Sequence, residues 1–101
     1  VRADGLFKDC TSLTDVPAGI WDDWDYGSPD PEALSEAFKN CALTKQSIEN
    51  ILVSLDASGQ TNNVIGLDGG TNAAQTTWTP TANTAYNNLF SSKGWTISYN
   101  P

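Results

Sequence analysis

The strongest hydrophobic pattern in the chain lies between Thr44 and Gly59. Large aliphatic residues recur there every three or four positions, at Ile48, Ile51, Leu52 and Leu55. This spacing puts them on one face of a helix, so it predicts an amphipathic α-helix that packs against a core. Thr44 is a good helix cap, and Ser58-Gly59 predicts the end of the helix.

Two further segments predict helices. Asp30-Pro31-Glu32 is a favourable start, because Asp caps the first turn, Pro has no N–H to leave unpaired, and Glu faces the positive end of the helix dipole. The apolar residues that would share its buried face are Leu34, Ala37, Phe38 and Cys41. In the last helix, Thr81 is the expected cap and Gly94 the expected end. Its apolar face would contain Ala85, Tyr86, Leu89 and Phe90.

Three short apolar runs predict strands. They lie at residues 13–16, 64–67 and 95–99. Pro17 would stop the first strand, because proline has no N–H for a sheet. Asp68-Gly69-Gly70 predicts a turn that needs positive φ or a close backbone approach, and residues 71–80 predict a polar loop anchored by Trp78. Strands that alternate with helices are joined by crossovers, so they should run parallel in an α/β fold.

A short motif occurs twice in the chain. It consists of an apolar pair, Lys, Asp or Asn, Cys, and then a Leu-Thr step, at residues 5–14 and 36–44, and a fainter copy follows at residues 89–96. The spacing corresponds to about 25 to 30 residues per coil, which is typical of solenoid repeats. We expect one domain over residues 1–101 with an incomplete first coil, whose open edge beside Leu13 and Val16 would contact more chain or another subunit. The aromatic end of the chain, with Trp95, Tyr99 and Pro101, should cap the stack.

The two cysteines occupy equivalent places in successive copies of the motif. Cys10 and Cys41 are therefore expected to be small buried side chains in one internal column, with a disulfide between adjacent coils as the alternative. Two cysteines without histidine do not form a zinc site of the usual kind.

The charge distribution is uneven. Nine of the 12 acidic residues lie at or before Glu36, and this first third carries the whole net charge of −7. Nucleic acids and anionic membranes require a basic face, so both are excluded as expected partners. No apolar run approaches the roughly 18 residues of a membrane span, and the first residues do not resemble a signal peptide. Since the chain does not begin with Met, we expect it to be processed or cut from a longer protein.

The segment 21–30 departs most from the repeat. It contains Trp21, Trp24, Asp25 and Tyr26 among further Asp residues and turn-forming Gly and Pro. Closely spaced carboxylates suit Ca²⁺, but the Gly and Glu positions of an EF-hand loop are not both present. The aromatic residues could instead contact a sugar or a partner protein. The interpretation that we favour is a solvated loop in which one Trp folds back over the core.

The sequence contains no recognisable catalytic arrangement. Without histidine, a Cys or Ser nucleophile lacks its usual base. The carboxylate pairs Asp22 with Asp25 and Asp30 with Glu32 could serve a glycosidase, but solvation and helix capping explain them already. Gly69-Gly70 is not followed by the residues of a phosphate loop. We therefore expect no enzyme, no metal site and no cofactor, and we take Trp21, Trp24, Asp25, Tyr26, Leu13 and Val16 as candidate partner-binding residues.

The motif Phe-x-x-Cys-Thr-Ser-Leu-Thr-x-Val-Pro at residues 7–17 resembles the BspA-like leucine-rich repeat. Phe38-Lys39-Asn40-Cys41 matches the first half of a second copy, although a helix is expected where the strand should continue. Three later segments are similar to the closing part of such repeats in structural proteins of marine and cyanobacterial tailed phages. They lie at residues 50–56, 69–74 and 93–97.

This resemblance implies a short leucine-rich-repeat-like solenoid with a small parallel sheet and helices on the convex side. It further implies a non-enzymatic virion module, of the decoration or fibre type, that contacts other virion proteins, itself or a host surface. The alternative is the terminal repeat domain of a secreted or cell-surface bacterial adhesin that binds a host protein or glycan. The family supplies no catalytic residues.

Overall fold

The regular elements of the described part of the chain are two α-helices and two short strands. The structure is a computed structural model and describes residues 7–20, 34 and 36–101. In chain order these elements are α1 (Lys45–Ser58), β1 (Val64–Leu67), α2 (Pro80–Asn87) and β2 (Thr96–Tyr99). A 3₁₀ turn (Gln75–Thr77) precedes α2, and one π-helical turn (Asn88–Ser92) follows it. The described part is thus a small α/β unit with a two-stranded parallel sheet.

Helix α1 has the position and the buried face that its spacing predicts. The Thr44 hydroxyl accepts a hydrogen bond from the Ser47 N–H, and Gly59 ends the helix in the left-handed conformation, with φ 74°. The four aliphatic residues that define its apolar face are each 0% exposed, namely Ile48, Ile51, Leu52 and Leu55. The prediction for this helix is therefore confirmed.

Helix α2 begins earlier than expected. Thr79, not Thr81, is the cap, and its hydroxyl accepts from the Ala82 N–H. The reason is Pro80, which is best placed at the first helical position and holds the preceding residue in an extended conformation. Beyond Asn87 the π-helical turn changes the rotation per residue, so Phe90, predicted on the buried face, is 58% exposed.

The sheet has the predicted parallel arrangement. Ile65 of β1 is opposite Ile97 of β2, and α2 lies in the connection between the strands. Leu34 forms a single parallel bridge to Ile65 on the other side of β1. Three of the four β1 residues are buried, as expected for a strand with neighbours on both edges.

The predicted strand at residues 13–16 is not formed. Side chains of α1 form hydrogen bonds with the backbone of Val16, whose N–H and C=O groups are then not available to a neighbouring strand. The Val16 N–H donates to Ser47 Oγ at 2.9 Å, and Asn50 Nδ2 donates to the Val16 carbonyl at 2.8 Å. The preceding carbonyls of Leu13 and Thr14 accept from backbone N–H groups of residues 42 and 44. This segment is therefore attached to the body of the protein without being a strand.

The prediction of a helix that carries Leu34, Ala37, Phe38 and Cys41 is wrong for the residues that the structure describes. Residues 36–40 form turns, because Glu36 and Asn40 have left-handed backbones with φ 60° and 61°, which a right-handed helix excludes. The expected start at residues 30–32 lies outside the described residues. All four apolar residues are nevertheless buried, so the pattern identified the core correctly and the local geometry incorrectly.

Backbone hydrogen bonds repeatedly join residues that are about one motif apart. They run from Phe7 N to Ala37 O, from Phe38 N to Gly66 O, and from Ala73 N to Leu43 O, over separations of 28 to 30 residues. Further bonds in the same register begin at the N–H groups of Asp9, Asn40 and Thr71. These contacts hold segments 7–14, 37–44 and 66–73 side by side.

Side chains complete this pattern. The carbonyls of Phe7, Phe38 and Gly69, which are spaced by 31 residues, accept hydrogen bonds from side chains of the following segment. The donors are Cys41 Sγ at 3.0 Å, Asn72 Nδ2 at 2.9 Å and Asn100 Nδ2 at 3.2 Å. Each of these side chains therefore satisfies a backbone carbonyl that has no regular sheet partner.

The turn at Asp68-Gly69-Gly70 confirms the need for glycine. Gly69 and Gly70 have φ 78° and 54°, and a Cβ on Gly70 would collide with the carbonyl of Cys41. A side chain at either position would push segments 37–44 and 66–73 apart.

The first prediction concerns α1. Leu52→Ala should reduce the free energy of unfolding by roughly 2–5 kcal/mol, because it leaves a cavity in a fully buried site. Val53→Ala is the matched control, since Val53 is 40% exposed in the same helix. Urea denaturation of both variants measures the difference, and equal losses would contradict the described core.

The second prediction concerns the side-chain ladder. Asn72 is 4% exposed, and its Oδ1 accepts from the Leu43 N–H while its Nδ2 also donates to the Leu67 carbonyl. Asn72→Ala should destabilise the protein by at least about 2 kcal/mol, because each buried group left without a partner costs about 1–3 kcal/mol. The exposed Asn87 provides the control, and Asn87→Ala should be close to neutral in the same denaturation experiment.

Candidate contact surface

The residues predicted to bind a partner are only partly described. Trp21, Trp24, Asp25 and Tyr26 lie outside the described residues, so their role in partner binding stays a prediction. Leu13 is half-buried against the core, and Val16 is 5% exposed with both backbone groups hydrogen-bonded to α1. Val16 therefore belongs to the core, and the open edge expected beside it is not found at this residue.

The cysteines differ in their surroundings. Both are free thiols, Cys41 is buried as predicted, and Cys10 is exposed, which corrects the expectation of one internal column. The difference arises because the chain turns twice around Cys10, through bonds from Cys10 N to Phe7 O and from Leu13 N to Cys10 O. Leu13, rather than Cys10, then packs toward the core.

Four aromatic residues form a continuous group, called here the aromatic cluster: Trp78, Tyr86, Phe90 and Tyr99. Tyr86 and Phe90 lie four residues apart, so they are neighbours along one side of the helical segment. Trp78 comes from the turn before α2, and Tyr99 ends β2. The group thus joins the last helix to the last strand.

The geometry of the aromatic cluster is well defined. Tyr86 and Phe90 are stacked with centroids 5.8 Å apart and rings 4° from parallel, whereas Tyr86 and Tyr99 meet edge to face at 5.5 Å. Trp78 is buried, and its Nε1 donates to the Ala73 carbonyl at 3.1 Å, which fixes the indole. Exposure therefore increases outward from Trp78 to Phe90.

The part of the chain that carries the aromatic cluster contains almost no charged side chains. Residues 69–101 contain a single charged side chain, Lys93, and its ammonium group is paired with Asp56 on α1. Asn, Thr and Ser supply most of the remaining polar groups in this part of the chain. Aromatic residues with few charges nearby are typical of the centre of a protein interface.

A shallow groove lies between α1 and α2. It has a volume of about 370 Å³, and Val53, Pro80 and Ala85 form its apolar wall while Asp56, Thr81 and Thr84 supply polar groups. The Thr79 hydroxyl donates to Glu49 across the helix pair, and this hydrogen bond lowers the pKa of the Glu49 carboxyl. The groove is therefore a concave feature separate from the aromatic cluster, and a hydrogen bond joins the two helices that line it.

Among residues 7–20, 34 and 36–101, no three or more metal-ligating side chains of the His, Cys, Asp or Glu type come together. No helix in the same part of the chain has both the length and the apolar character needed to cross a membrane.

The sequence identified the members of the aromatic cluster but not their association. It assigned Trp78 to a loop, Tyr86 and Phe90 to a helix face, and Tyr99 to a terminal cap. Two features of the sequence could have indicated the cluster. Tyr86 and Phe90 are four residues apart, and they lie in a long segment that contains almost no charged residues. Trp95, expected in the same cap, instead lies in the core with its Nε1 donating to the Gln60 carbonyl.

The third prediction concerns Tyr86. Burial, followed by a hydrogen bond to Tyr99 and repulsion from its phenolate, raises the pKa of Tyr86 above its usual value near 10. The folded state therefore holds this proton more tightly than the unfolded state. The resulting contribution to stability is complete below the unfolded pKa and is lost as pH rises through the folded one.

Absorbance titration of tyrosinate should show a late component in the wild-type protein that is missing in Tyr86→Phe. The control is Tyr99→Phe, in which the late component should remain but move to lower pH. If Tyr86→Phe kept a high-pH component of unchanged size, the described contact between Tyr86 and Tyr99 would be incorrect.

Comparison of the chain with protein-family models, with curated proteins and with solved structures found no match.

Proposed function

We propose that this chain is a short leucine-rich-repeat-like solenoid of the BspA-like kind, and that it acts as a non-enzymatic module for protein–protein contact in a phage virion. The role would be that of a decoration or fibre-type protein. The observation that carries the proposal is the recurrence, every 31 residues, of a backbone carbonyl that accepts a hydrogen bond from a side chain of the next segment.

The pattern of contacts supports a solenoid. In such folds each coil contacts its neighbours in sequence order, and repeat lengths of 20–50 residues are usual. Here segment 7–14 bonds to 37–44, and 37–44 bonds to 66–73. The strand pair β1 and β2 continues the same order. Leucine-rich repeats also use Asn or Cys at one interior position, which corresponds to the roles of Cys41 and Asn72.

The aromatic cluster supports a role in contact between proteins. Phe90 is 58% exposed and its ring stacks on Tyr86, which in turn packs edge to face against Tyr99. Residues 69–92 contain no charged side chain. A rigid aromatic anchor loses little conformational entropy on binding. The partner would be another virion protein, a second copy of the chain or a host surface.

The virion setting rests on the resemblance of residues 50–56, 69–74 and 93–97 to the closing part of repeats in phage structural proteins. A second candidate is the terminal repeat domain of a secreted or cell-surface adhesin. It is favoured by the same exposed Phe90 ring, because Asn and Ser side chains beside an aromatic face also suit a host glycan or protein.

The fourth prediction locates the chain. An antibody against this chain, with gold labelling and electron microscopy of particles purified by density gradient from the source material, should mark regular positions on a symmetric shell, tube or fibre. Antibody that has been absorbed with purified chain provides the control. Label on cell envelopes instead would support the adhesin, and label confined to the dispersed protein fraction would overturn both proposals.

The contact surface can be tested with the same material. Phe90→Ala should reduce recovery of particle proteins on immobilised chain at least about tenfold, because aromatic hot spots contribute at least about 1.4 kcal/mol. Ile20→Ala is the control, because Ile20 is 44% exposed and lies outside both the aromatic cluster and the groove between the helices. Equal recovery by the two variants would exclude the aromatic cluster as the contact surface.

A further inference from the structure

Cys10 and Cys41 share a single hydrogen-bond acceptor although they are 31 residues apart in the chain. Cys41 Sγ lies 3.0 Å from the Phe7 carbonyl oxygen, and the Cys10 backbone nitrogen lies 3.1 Å from the same atom. The two residues therefore meet at one turn of the chain.

The segments that carry the two cysteines are fixed immediately beside them. The Asp9 N–H donates to the Lys39 carbonyl at 2.8 Å, and Asn40 Nδ2 donates to Asp9 Oδ1 at 2.8 Å. Segments joined by such backbone bonds lie about 4.8 Å apart. Cys10 and Cys41 lie between the Asp9–Lys39 bond and the bond from the Ala42 N–H to the Leu13 carbonyl, on the two segments that these bonds hold together. Disulfide-linked residues have Cα atoms about 4.4–6.8 Å apart, so segments held side by side in this way bring the two cysteines within the reach of a disulfide.

The two thiols have different access to solvent. Cys10 is exposed, whereas Cys41 is 1% exposed and its Sγ is directed toward the Phe7 carbonyl. Burial also raises the pKa of the Cys41 thiol, so Cys41 is the slower nucleophile of the two. A reagent in solution therefore reacts with Cys10 first. Cys41 can then react only with the sulfur of Cys10, which lies at the same turn.

We propose that Cys10 and Cys41 form a reversible thiol-modification site, in which a low-molecular-weight disulfide converts them to an intramolecular disulfide. The Cys10 thiolate attacks one sulfur of the reagent, forms a mixed disulfide and expels the first thiolate. Cys41 loses its proton to water and attacks the Cys10 sulfur, which forms the Cys10–Cys41 bond and expels the second thiolate. The two protein thiols together lose two electrons, and the reagent is reduced to two thiols.

The new bond would change how the first described segment is held. Residues 7–20 contact the body through hydrogen bonds and through a few side chains, such as the ring of Phe7 stacked on Phe38 at 5.4 Å. A disulfide between positions 10 and 41 would close a long loop and restrict the unfolded chain. The oxidised protein should therefore be more stable to heat, with the gain concentrated in this segment.

The experiment uses the purified full chain at micromolar concentration with oxidised glutathione as the reagent. Mass spectrometry should show a monomer that has lost two hydrogen atoms and resists alkylation at both cysteines. The midpoint of thermal unfolding should rise by at least about 5 °C. Dithiothreitol should reverse both changes.

Two variants separate this site from simple surface chemistry. Cys10→Ser changes an exposed residue, so the fold is retained, and its Cys41 should neither take up glutathione nor be alkylated rapidly. Cys41→Ser keeps a hydrogen-bond donor for the Phe7 carbonyl. In this variant the reaction with glutathione should stop at the mixed disulfide on Cys10, because no second thiol is present to displace the glutathione. In the wild type, a stable mixed disulfide, a disulfide-linked dimer or an unchanged unfolding midpoint would overturn the proposal.

Discussion

The structure depends on satisfying backbone hydrogen-bonding groups that lie outside regular secondary structure. Among the described residues, two helices and two strands of four residues leave many buried N–H and C=O groups without helix or sheet partners. An unpaired buried group of this kind costs about as much as a lost hydrogen bond, so the chain must pair these groups in another way. It does so by placing irregular segments side by side at a nearly constant sequence interval and by inserting Asn and Cys side chains between them.

The same constraint gives helix α1 two roles in the structure. Its apolar face supplies Ile48, Ile51, Leu52 and Leu55 to the core, while Ser47 and Asn50 on the neighbouring positions bind the backbone of the segment around Val16. The helix therefore acts both as hydrophobic support and as the source of polar groups that an adjacent strand would otherwise provide. The loss of either function would release the first described segment, even if the helix itself stayed intact.

The parts of the fold that the sequence predicts correctly are those set by local forces. The spacing of apolar residues, the Thr44 cap and the Gly59 stop determine α1, and the alternation of strands with helices determines the parallel sheet. The sequence does not reveal that Glu36 and Asn40 adopt left-handed backbones, because neither residue is glycine and the reason lies in contacts with Gly66 and Asp68. The sequence also does not reveal that Cys10 is exposed, because this depends on two turns that contacts with other segments hold in place. Nor does it reveal the aromatic cluster, because the members come from three separate parts of the chain.

The contact between Gly69 and Asn100 has a further consequence for the chemical durability of the chain. Asp68-Gly69 is a dipeptide that, in flexible chains, ages by attack of the glycine nitrogen on the aspartate side chain and rearranges to isoaspartate. Here the Gly69 N–H donates to Asn100 Oδ1 at 2.8 Å, and the Gly69 carbonyl accepts from the same side chain. The nitrogen that would attack is therefore engaged in a hydrogen bond, so we expect the Asn100 side chain to slow the rearrangement of this peptide link.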